Sequence, residues 1–361
     1  MSSSSRVVSP APHHANPDIL PQQIYFRVPE FVLESGEVLL EGQVAFTFWG
    51  LLNAERDNAI VVCHGLAESA NVEDWWSCML ERANPALDLQ KFCIICCNSL
   101  GSPFGSSSPL TYRPDSTGKR RKVGSERYGL QFPPSTFRDD VRIHKSVLDI
   151  LGVRGVFCVI GHGMGNLTAM EWADLGPDYV RAVVLLDGNG ADNTRISFPG
   201  NSNGGRTPTD AEPPTPPSET DLPEKDLWGA LGDIPRDQTN KSRAFDAECH
   251  TYMLDKIKAS MLVYETKRII QPTLVVRVGN GRRDSSKGRE WWHAHLANRN
   301  CVMIEKEEGI EGSLLEAEQL DAHLHSFFQT ATGRPRLSCE DIPQLKLKAT
   351  ERHEDTDETI K

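Results

Sequence analysis

The sequence of 361 residues lacks any apolar stretch long enough to cross a bilayer, which takes about 20 consecutive, mostly apolar residues. Its first 22 residues also lack the apolar core of a signal peptide and are rich in Ser, Pro and His instead. From these two absences we expect a protein that acts in the cytoplasm and has no membrane partner.

Positive charge is scarce as well. The 39 Lys and Arg residues are outnumbered by 50 Asp and Glu residues, which gives a net charge of −11 at pH 7. Affinity for nucleic acids comes mainly from neutralising phosphates, so we expect no nucleic-acid partner. The nine cysteines are an odd number without a secretory signal, which favours reduced thiols. Cys93 and Cys96 have CxxC spacing on a predicted strand, where residues three apart face opposite sides, so we expect no metal site.

Hydrophobic patterning predicts a doubly wound, mostly parallel sheet. An opening β region spans residues 24–33 and 38–49, and a first parallel strand follows at 60–64. Further apolar runs then alternate with helical patterns, which is typical of an α/β fold. These runs lie near residues 92–97, 156–160, 181–187, 272–278 and 300–305.

The turn at residues 161–165 lacks a reactive side chain at a position where turns between a strand and a helix often carry one. A strand at 156–160, a sharp turn at 161–165 and a helix from about Asn166 match the strand, turn and helix of a nucleophile elbow. The middle residue of that motif projects a Ser oxygen, but here it is Gly163, which has no side chain. Glycines also occur in ordinary turns between strands and helices, so the elbow interpretation needs support from elsewhere.

That support is a series of blocks that resembles the homoserine O-acetyltransferase family. The resemblance covers residues 24–190 well and 265–330 more weakly, and its blocks follow the family's order. They are residues 58–70 with Trp75 and Trp76, 92–101 with 105–109, 128–133, 136–141, and the turn itself through 171–173. The resemblance implies an α/β-hydrolase fold.

The resemblance also implies three catalytic side chains, most of which are missing here. The family uses a Ser that accepts an acetyl group from acetyl-CoA, a His base and an Asp that orients the His. The Ser position is Gly163, the His position is Ile310, and the Asp position falls near Gly281, with Asp284 as the nearest carboxylate. Loss of the Ser or His in such a unit lowers the rate about 10⁶-fold. We therefore expect the family's acyl-transfer mechanism to be inactive.

Other parts of the site remain in the sequence. An oxyanion hole made of the backbone N–H groups of Leu66 and Met164 does not depend on the missing side chains. His162, His64 and Asp187 are the candidates for a substitute acid or base. The two histidines also have a simpler interpretation, in which they support two tight turns through hydrogen bonds.

The domain organisation follows from composition and from the resemblance. We expect a disordered lead at 1–22, an α/β-hydrolase core at 23–190 and 265–330, a reduced and partly disordered lid at 191–264, and a flexible acidic tail at 331–361. A basic insertion from Lys119 to Lys122 is consistent with a nuclear-localisation patch or with an exposed loop.

Three functions stay open at this point. The first is a non-catalytic homologue that binds a small molecule or another protein, and it ranks slightly ahead. The second is an enzyme of a specialised pathway that uses non-covalent acid–base chemistry, such as a cyclisation, an elimination or an acyl transfer. The third is an O-acetyltransferase with a relocated nucleophile, and only this one takes acetyl-CoA as cofactor. The family resemblance is also compatible with a homodimer.

Overall fold

The computed structural model describes residues 6–8, 23–80, 84–113, 126–187, 246–261, 269–279, 296–305 and 310–331. Within these ranges nine strands form one sheet, and five α-helices are present. The strands are β1 (Arg6–Val8), β2 (Ile24–Val32), β3 (Val38–Trp49), β4 (Ala59–Cys63), β5 (Cys93–Cys97), β6 (Val156–His162), β7 (Val183–Asp187), β8 (Ile269–Gly279) and β9 (Leu296–Glu305). The helices are α1 (Glu73–Leu80), α2 (Phe137–Leu151), α3 (Gly165–Ala173), α4 (Ala247–Met261) and α5 (Ile310–Ala331).

The strand order reverses around β4, and in open α/β sheets such a reversal forms a crevice at the carboxyl ends of the strands. The sheet runs β1-β2-β3-β5-β4-β6-β7-β8-β9, with antiparallel pairing from β1 to β5 and parallel pairing from β5 to β9. From β4 the chain moves first to β5 on one side and then to β6 on the other. Open α/β sheets bind ligands where the strand order reverses, at the carboxyl ends of the strands. The fold therefore predicts a ligand site at the carboxyl ends of β4 and β6.

Helices cover both faces of the sheet, which confirms the doubly wound prediction. In β4, Val61 and Cys63 join the core that includes α2 and α3, whereas Ile60 and Val62 join the core that includes α1 and α5. This alternation follows from the two-residue period of a strand. Because both of its faces are buried, β4 is apolar along its whole length.

The helix α4 is fixed to the core by polar as well as apolar contacts. Met253 and Ile257 are buried, and Tyr252 packs beside them. The Tyr252 hydroxyl accepts a hydrogen bond from the backbone N–H of Ser135 at 2.7 Å. The ammonium group of Lys256 lies 2.7 Å from Oδ2 of Asp140, and both side chains are buried. This segment of the expected lid is thus part of the packed structure.

One expected boundary is corrected by the structure. Arg6–Val8 pair with β2 in an antiparallel ladder, although we predicted a disordered lead over residues 1–22. The prediction is wrong for these three residues because the outer edge of β2 offers backbone partners that a three-residue pattern does not reveal. The insertion from Lys119 to Lys122, most of 191–264 and nearly all of 331–361 lie outside the described residues. None of the described helices is long and apolar enough to span a membrane.

Candidate functional site

Two neighbouring turns form the candidate site, and each starts with a His-Gly pair. The strands β4 and β6 run parallel with Cys63 beside Gly161, so His64-Gly65 and His162-Gly163 follow in register. The turn after β6 is tied to β7, because the Gly163 N–H donates to the carbonyl oxygen of Leu186 at 3.2 Å. Both turns therefore lie at the crevice that the strand order creates.

The glycines of the β6 turn differ in how much space surrounds them. A Cβ at Gly161 would lie 2.7 Å from the carbonyl oxygen of Gly165, and a Cβ at Gly165 would lie 2.0 Å from the carbonyl oxygen of Cys63. Those two positions leave no room for a side chain. At Gly163 the backbone has φ +54°, but the nearest atom to an added Cβ is the Cα of Gly65 at 3.9 Å. The turn has the close packing of an elbow, and space alone does not forbid a side chain at its apex.

Two backbone N–H groups belong to the residues that directly follow the turn glycines Gly65 and Gly163. Among the residues that the structure describes, the N–H groups of Leu66 and Met164 have no hydrogen-bond acceptor. Met164 also lies directly before the first residue of α3, where the partial positive charge of a helix is concentrated. Backbone donors in this position retain the capacity to bind an oxygen atom.

His162 is held by a carboxylate that the sequence analysis missed. Its Nδ1 lies 2.7 Å from Oε1 of Glu68, and the second carboxylate oxygen accepts the Gly65 N–H at 2.5 Å. The imidazole also stacks on Trp75, with ring centroids 5.9 Å apart and planes 16° apart. The side chain of His162 is 38% exposed, so solvent and ligands reach it. The sequence signal was a Glu placed three residues after the glycine of the turn that follows a buried strand.

The environment of Glu68 keeps it ionised at neutral pH. Burial acts to raise the pKa of this carboxyl group, but the charge of His162 and the hydrogen bonds from His162 and Gly65 outweigh burial. The pKa of Glu68 therefore lies below its ordinary value. The site consequently contains a fixed negative charge beside an imidazole.

His64 has a different environment although it occupies the equivalent position. Its Nδ1 donates to the carbonyl oxygen of Gly65 at 2.8 Å, and its Nε2 accepts the N–H of Ser99 at 3.2 Å. The side chain is buried, and burial lowers the pKa of His64 below the ordinary value. Because both ring nitrogens are engaged with backbone groups, we do not retain His64 as a substitute base.

A buried ion pair supports the turn that contains His64. Asp140 accepts a hydrogen bond from the backbone N–H of Leu100 at 2.9 Å. The ammonium group of Lys256 donates to the carbonyl oxygen of Leu100 at 3.0 Å. Burial raises the pKa of Asp140 and lowers that of Lys256. Ser99, which binds His64, precedes Leu100, so the helix α4 and the β4 turn are joined through this segment.

The remaining predicted positions are described only in part. Asp187 is the last residue of β7, on the same edge of the sheet as His162, and it pairs with Arg277 of β8 in the ladder. Ile310 is the first residue of α5. Gly281 and Asp284 lie outside the described residues. No cluster of three or more His, Cys, Asp or Glu residues in the described ranges is placed to hold a metal ion.

Comparison with known proteins places these turns in a family. The pattern of the alpha/beta hydrolase fold matches residues 58–299. The chain is 46% identical over 159 residues to the homoserine O-acetyltransferase of Emericella nidulans, a match that covers 44% of this chain and 31% of that protein. The corresponding enzyme of Saccharomyces cerevisiae is 48% identical over 161 residues, again with 44% and 31% covered. The matched region thus spans about a third of the length of these curated relatives.

A solved structure agrees with this placement at the level of the fold. The crystal structure of homoserine O-acetyltransferase from Bacillus anthracis aligns with a TM-score of 0.57 at 15% identity, over 86% of this chain and 98% of that one. The match starting at residue 58 includes both turns of the candidate site. The chain therefore belongs to the α/β hydrolase fold family and, over less than half of its length, is similar to homoserine O-acetyltransferases.

Proposed function

We propose that this homoserine O-acetyltransferase-like protein binds a ligand in the crevice between the β4 and β6 turns and forms no acyl-enzyme. The observation that carries the proposal is Gly163 at the apex of a close-packed elbow. An acyl-enzyme needs an oxygen or sulfur nucleophile at this point, and glycine supplies neither. Ile310, at the position of the family's base, has no group that accepts a proton.

The backbone at the site supports binding. The N–H groups of Leu66 and Met164, which directly follow Gly65 and Gly163, have no acceptor within the described ranges. They form the proposed oxyanion hole, which requires only backbone geometry. A small molecule with a carbonyl oxygen is the ligand that we favour, and a segment of another protein is the alternative.

A relocated nucleophile has little support among the buried thiols near the β4 turn. Cys63, Cys96 and Cys97 are buried, and burial raises the pKa of each above its ordinary value. A thiol in this environment holds little of the thiolate form that attacks esters. These residues therefore favour core packing over acetyl transfer from acetyl-CoA.

Acid–base catalysis without a covalent intermediate is the second candidate function. The contact between His162 and Glu68 favours it, because a half-exposed imidazole beside a carboxylate is a common arrangement for proton transfer. Asp187, at the end of β7, stays a further candidate carboxylate.

Intact-protein mass spectrometry tests the main proposal. The protein is incubated separately with acetyl-CoA and with p-nitrophenyl acetate, and any adduct is located by peptide mapping. We expect no stoichiometric acetyl adduct. One acetylated residue that forms and turns over rapidly would overturn the proposal and locate the nucleophile.

Amide NMR tests the binding part. Titration with ethyl acetate, a neutral ester, is expected to shift the amide signals of Leu66 and Met164. The amide of Gly176, a glycine with positive φ in another turn, is the control and should stay unchanged. Equal shifts at all three amides, or no shift at Leu66 and Met164, would contradict binding of this ester at the two turns.

A further inference from the structure

We propose that Glu68 and His162 form a proton-transfer pair that acts on a neutral carbonyl compound bound over Gly163. In this pair Glu68 is a positioning residue and His162 is the group that takes the proton. The inference rests on the proposed function, because the compound must first occupy the crevice between the two turns.

The first argument is the geometry of the imidazole. Nδ1 of His162 lies 2.7 Å from Oε1 of Glu68. A carboxylate at Nδ1 fixes the proton on that nitrogen, so proton exchange with a substrate takes place at Nε2. The stacked ring of Trp75 fixes the plane of the imidazole, and the Trp75 indole N–H donates to the carbonyl oxygen of Ser69 at 2.9 Å. These contacts fix both the orientation of the imidazole ring and the nitrogen that carries its proton.

The second argument is that hydrogen bonds fix the conformation of the turn that carries Glu68. Its Oε2 accepts the Gly65 N–H at 2.5 Å, and its own N–H donates to the carbonyl oxygen of Gly65 at 3.3 Å. Further along the turn, the Ala70 N–H donates to Oδ1 of the buried Asn98 at 2.7 Å. A proton-transfer group works best when its partner is held in this way by surrounding hydrogen bonds.

The third argument is that the pair faces the empty apex. A Cβ at Gly65 would lie 3.0 Å from Oε2 of Glu68 and 3.4 Å from Nδ1 of His162. A Cβ at Gly163 would meet the Cα of the same Gly65 at 3.9 Å. The backbone of Gly65 thus lies close both to the pair and to the position of the missing Gly163 side chain. Leu66 and Met164 directly follow these two glycines in the chain.

Charge selects the class of substrate. Glu68 is ionised and lies against the turn that carries Leu66, so a carboxylate or phosphate ligand would be repelled there. His64, the histidine of the β4 turn, adds no positive charge at neutral pH, because burial lowers its pKa. A ketone, aldehyde or ester is neutral and still presents a carbonyl oxygen to the two N–H groups. Neutral carbonyl compounds with a C–H next to the carbonyl are therefore the expected class.

The proton transfer balances without any further reactant. Nε2 of His162 takes the proton from the carbon next to the carbonyl, and the electrons of the broken C–H bond form the C=C bond of an enolate. The oxygen of the enolate gains the negative charge, which the N–H groups of Leu66 and Met164 stabilise. Return of the proton to carbon completes an isomerisation or an isotope exchange.

A probe reaction tests the pair without knowledge of the natural substrate. In 5-nitrobenzisoxazole a base removes the ring C–H proton, the N–O bond breaks, and a nitrile and a coloured phenolate form. We expect the full-length protein to accelerate this reaction and His162→Gln to lower the rate about 10²-fold. The matched control is His325→Gln, because His325 is 41% exposed and lies 3.6 Å from Oδ2 of Asp321 on α5. This control should leave the rate unchanged.

Variants of Glu68 separate positioning from a purely structural role. Glu68→Gln should reduce the rate about tenfold, because a neutral amide orients the imidazole but stabilises its charged form less. It should also shift the rate-against-pH profile to lower pH, because the imidazolium loses its carboxylate partner. Glu68→Asp keeps a carboxylate, so it should recover part of the rate and part of the original pH profile. A rate loss with an unmoved pH profile would show that Glu68 only supports the fold.

The outcomes of the two sets of experiments are distinguishable. Equal rates for the unchanged protein and His162→Gln, or an equal loss in His325→Gln, would overturn the proton-transfer pair and leave ligand binding intact. An acetyl adduct in the mass experiment would instead overturn the proposed function, whatever the rates with 5-nitrobenzisoxazole.

Discussion

The turn after β4 and the turn after β6 begin with the same dipeptide, yet they give its histidine two different environments. His64 is buried, and both of its ring nitrogens engage backbone groups. His162 is 38% exposed, contacts the carboxylate of Glu68 and stacks on Trp75. The first histidine satisfies the hydrogen-bonding groups of two loops, whereas the second presents a titratable group to the crevice.

The difference shows that neighbouring chain segments decide what a residue does. The loop that contains Ser99 covers His64 and supplies the N–H that occupies its Nε2. Nδ1 of His162 instead lies against a charged side chain from the other turn. Four variants or conditions would break or sharpen this comparison.

The largest effect is expected where the two turns pack most closely. In Gly165→Ala the new Cβ would lie 2.0 Å from the backbone carbonyl oxygen of Cys63, so β4 and β6 would have to separate. We expect the free energy of unfolding to fall by about 3 kcal/mol or more. Urea denaturation measures this loss, and Gly163→Ala in the same turn serves as control. A loss of similar size in both variants would contradict the steric argument.

Removal of His64 should have the next largest effect. In His64→Leu the N–H of Ser99 and the carbonyl oxygen of Gly65 lose their partners in a buried place. We expect a loss of about 2 kcal/mol in the free energy of unfolding. His162→Gln, at a more exposed position, should change it by less than about 0.5 kcal/mol. If denaturation curves show the two variants to be equally destabilised, the structural distinction between the histidines is wrong.

A side chain at the apex should have a smaller effect. Gly163→Ala meets no atom closer than 3.9 Å, but it places alanine at φ +54°. The left-handed conformation costs about 1 kcal/mol, and ligand binding should largely persist. Gly176→Ala is the matched control, because its φ is +89° and its added Cβ has open space. Thermal unfolding compares the two variants, and a much larger loss at Gly163 would indicate a hidden steric requirement.

The smallest effect is a pH dependence that comes from Glu68. Its pKa is lowered in the folded protein, so the unfolded chain binds the proton more readily. Its contribution to stability is therefore present above its ordinary pKa of about 4.3 and is lost as the pH falls through the lowered value. Glu68→Gln should flatten this part of the stability-against-pH curve measured by urea denaturation. Glu30→Gln, at an exposed position on β2, should leave the curve unchanged.

The sequence predicted the sheet well because its strands are long apolar runs with clear ends. Phe137, Val141, Leu148 and Leu151 recur at helical spacing in the sequence, and this stretch forms α2. The helix begins after Thr136, where the side chains of Thr136 and Asp139 satisfy each other's backbone N–H groups. The short strand at Arg6–Val8 was missed because three residues carry too little pattern. Glu68 was also missed, because its only sequence signal is its position in a loop, and its contact with His162 joins residues 94 positions apart.

The sequence by itself determined that a glycine occupies the apex of the β6 turn, because the strand, the turn and the helix are local patterns that no tertiary contact alters. It also placed the two His-Gly pairs at the ends of strands. Only the tertiary structure decided which histidine faces the crevice, because burial and hydrogen-bond partners come from loops distant in the chain. It likewise placed Glu68 against His162, since the parallel pairing of β4 and β6 brings their turns together.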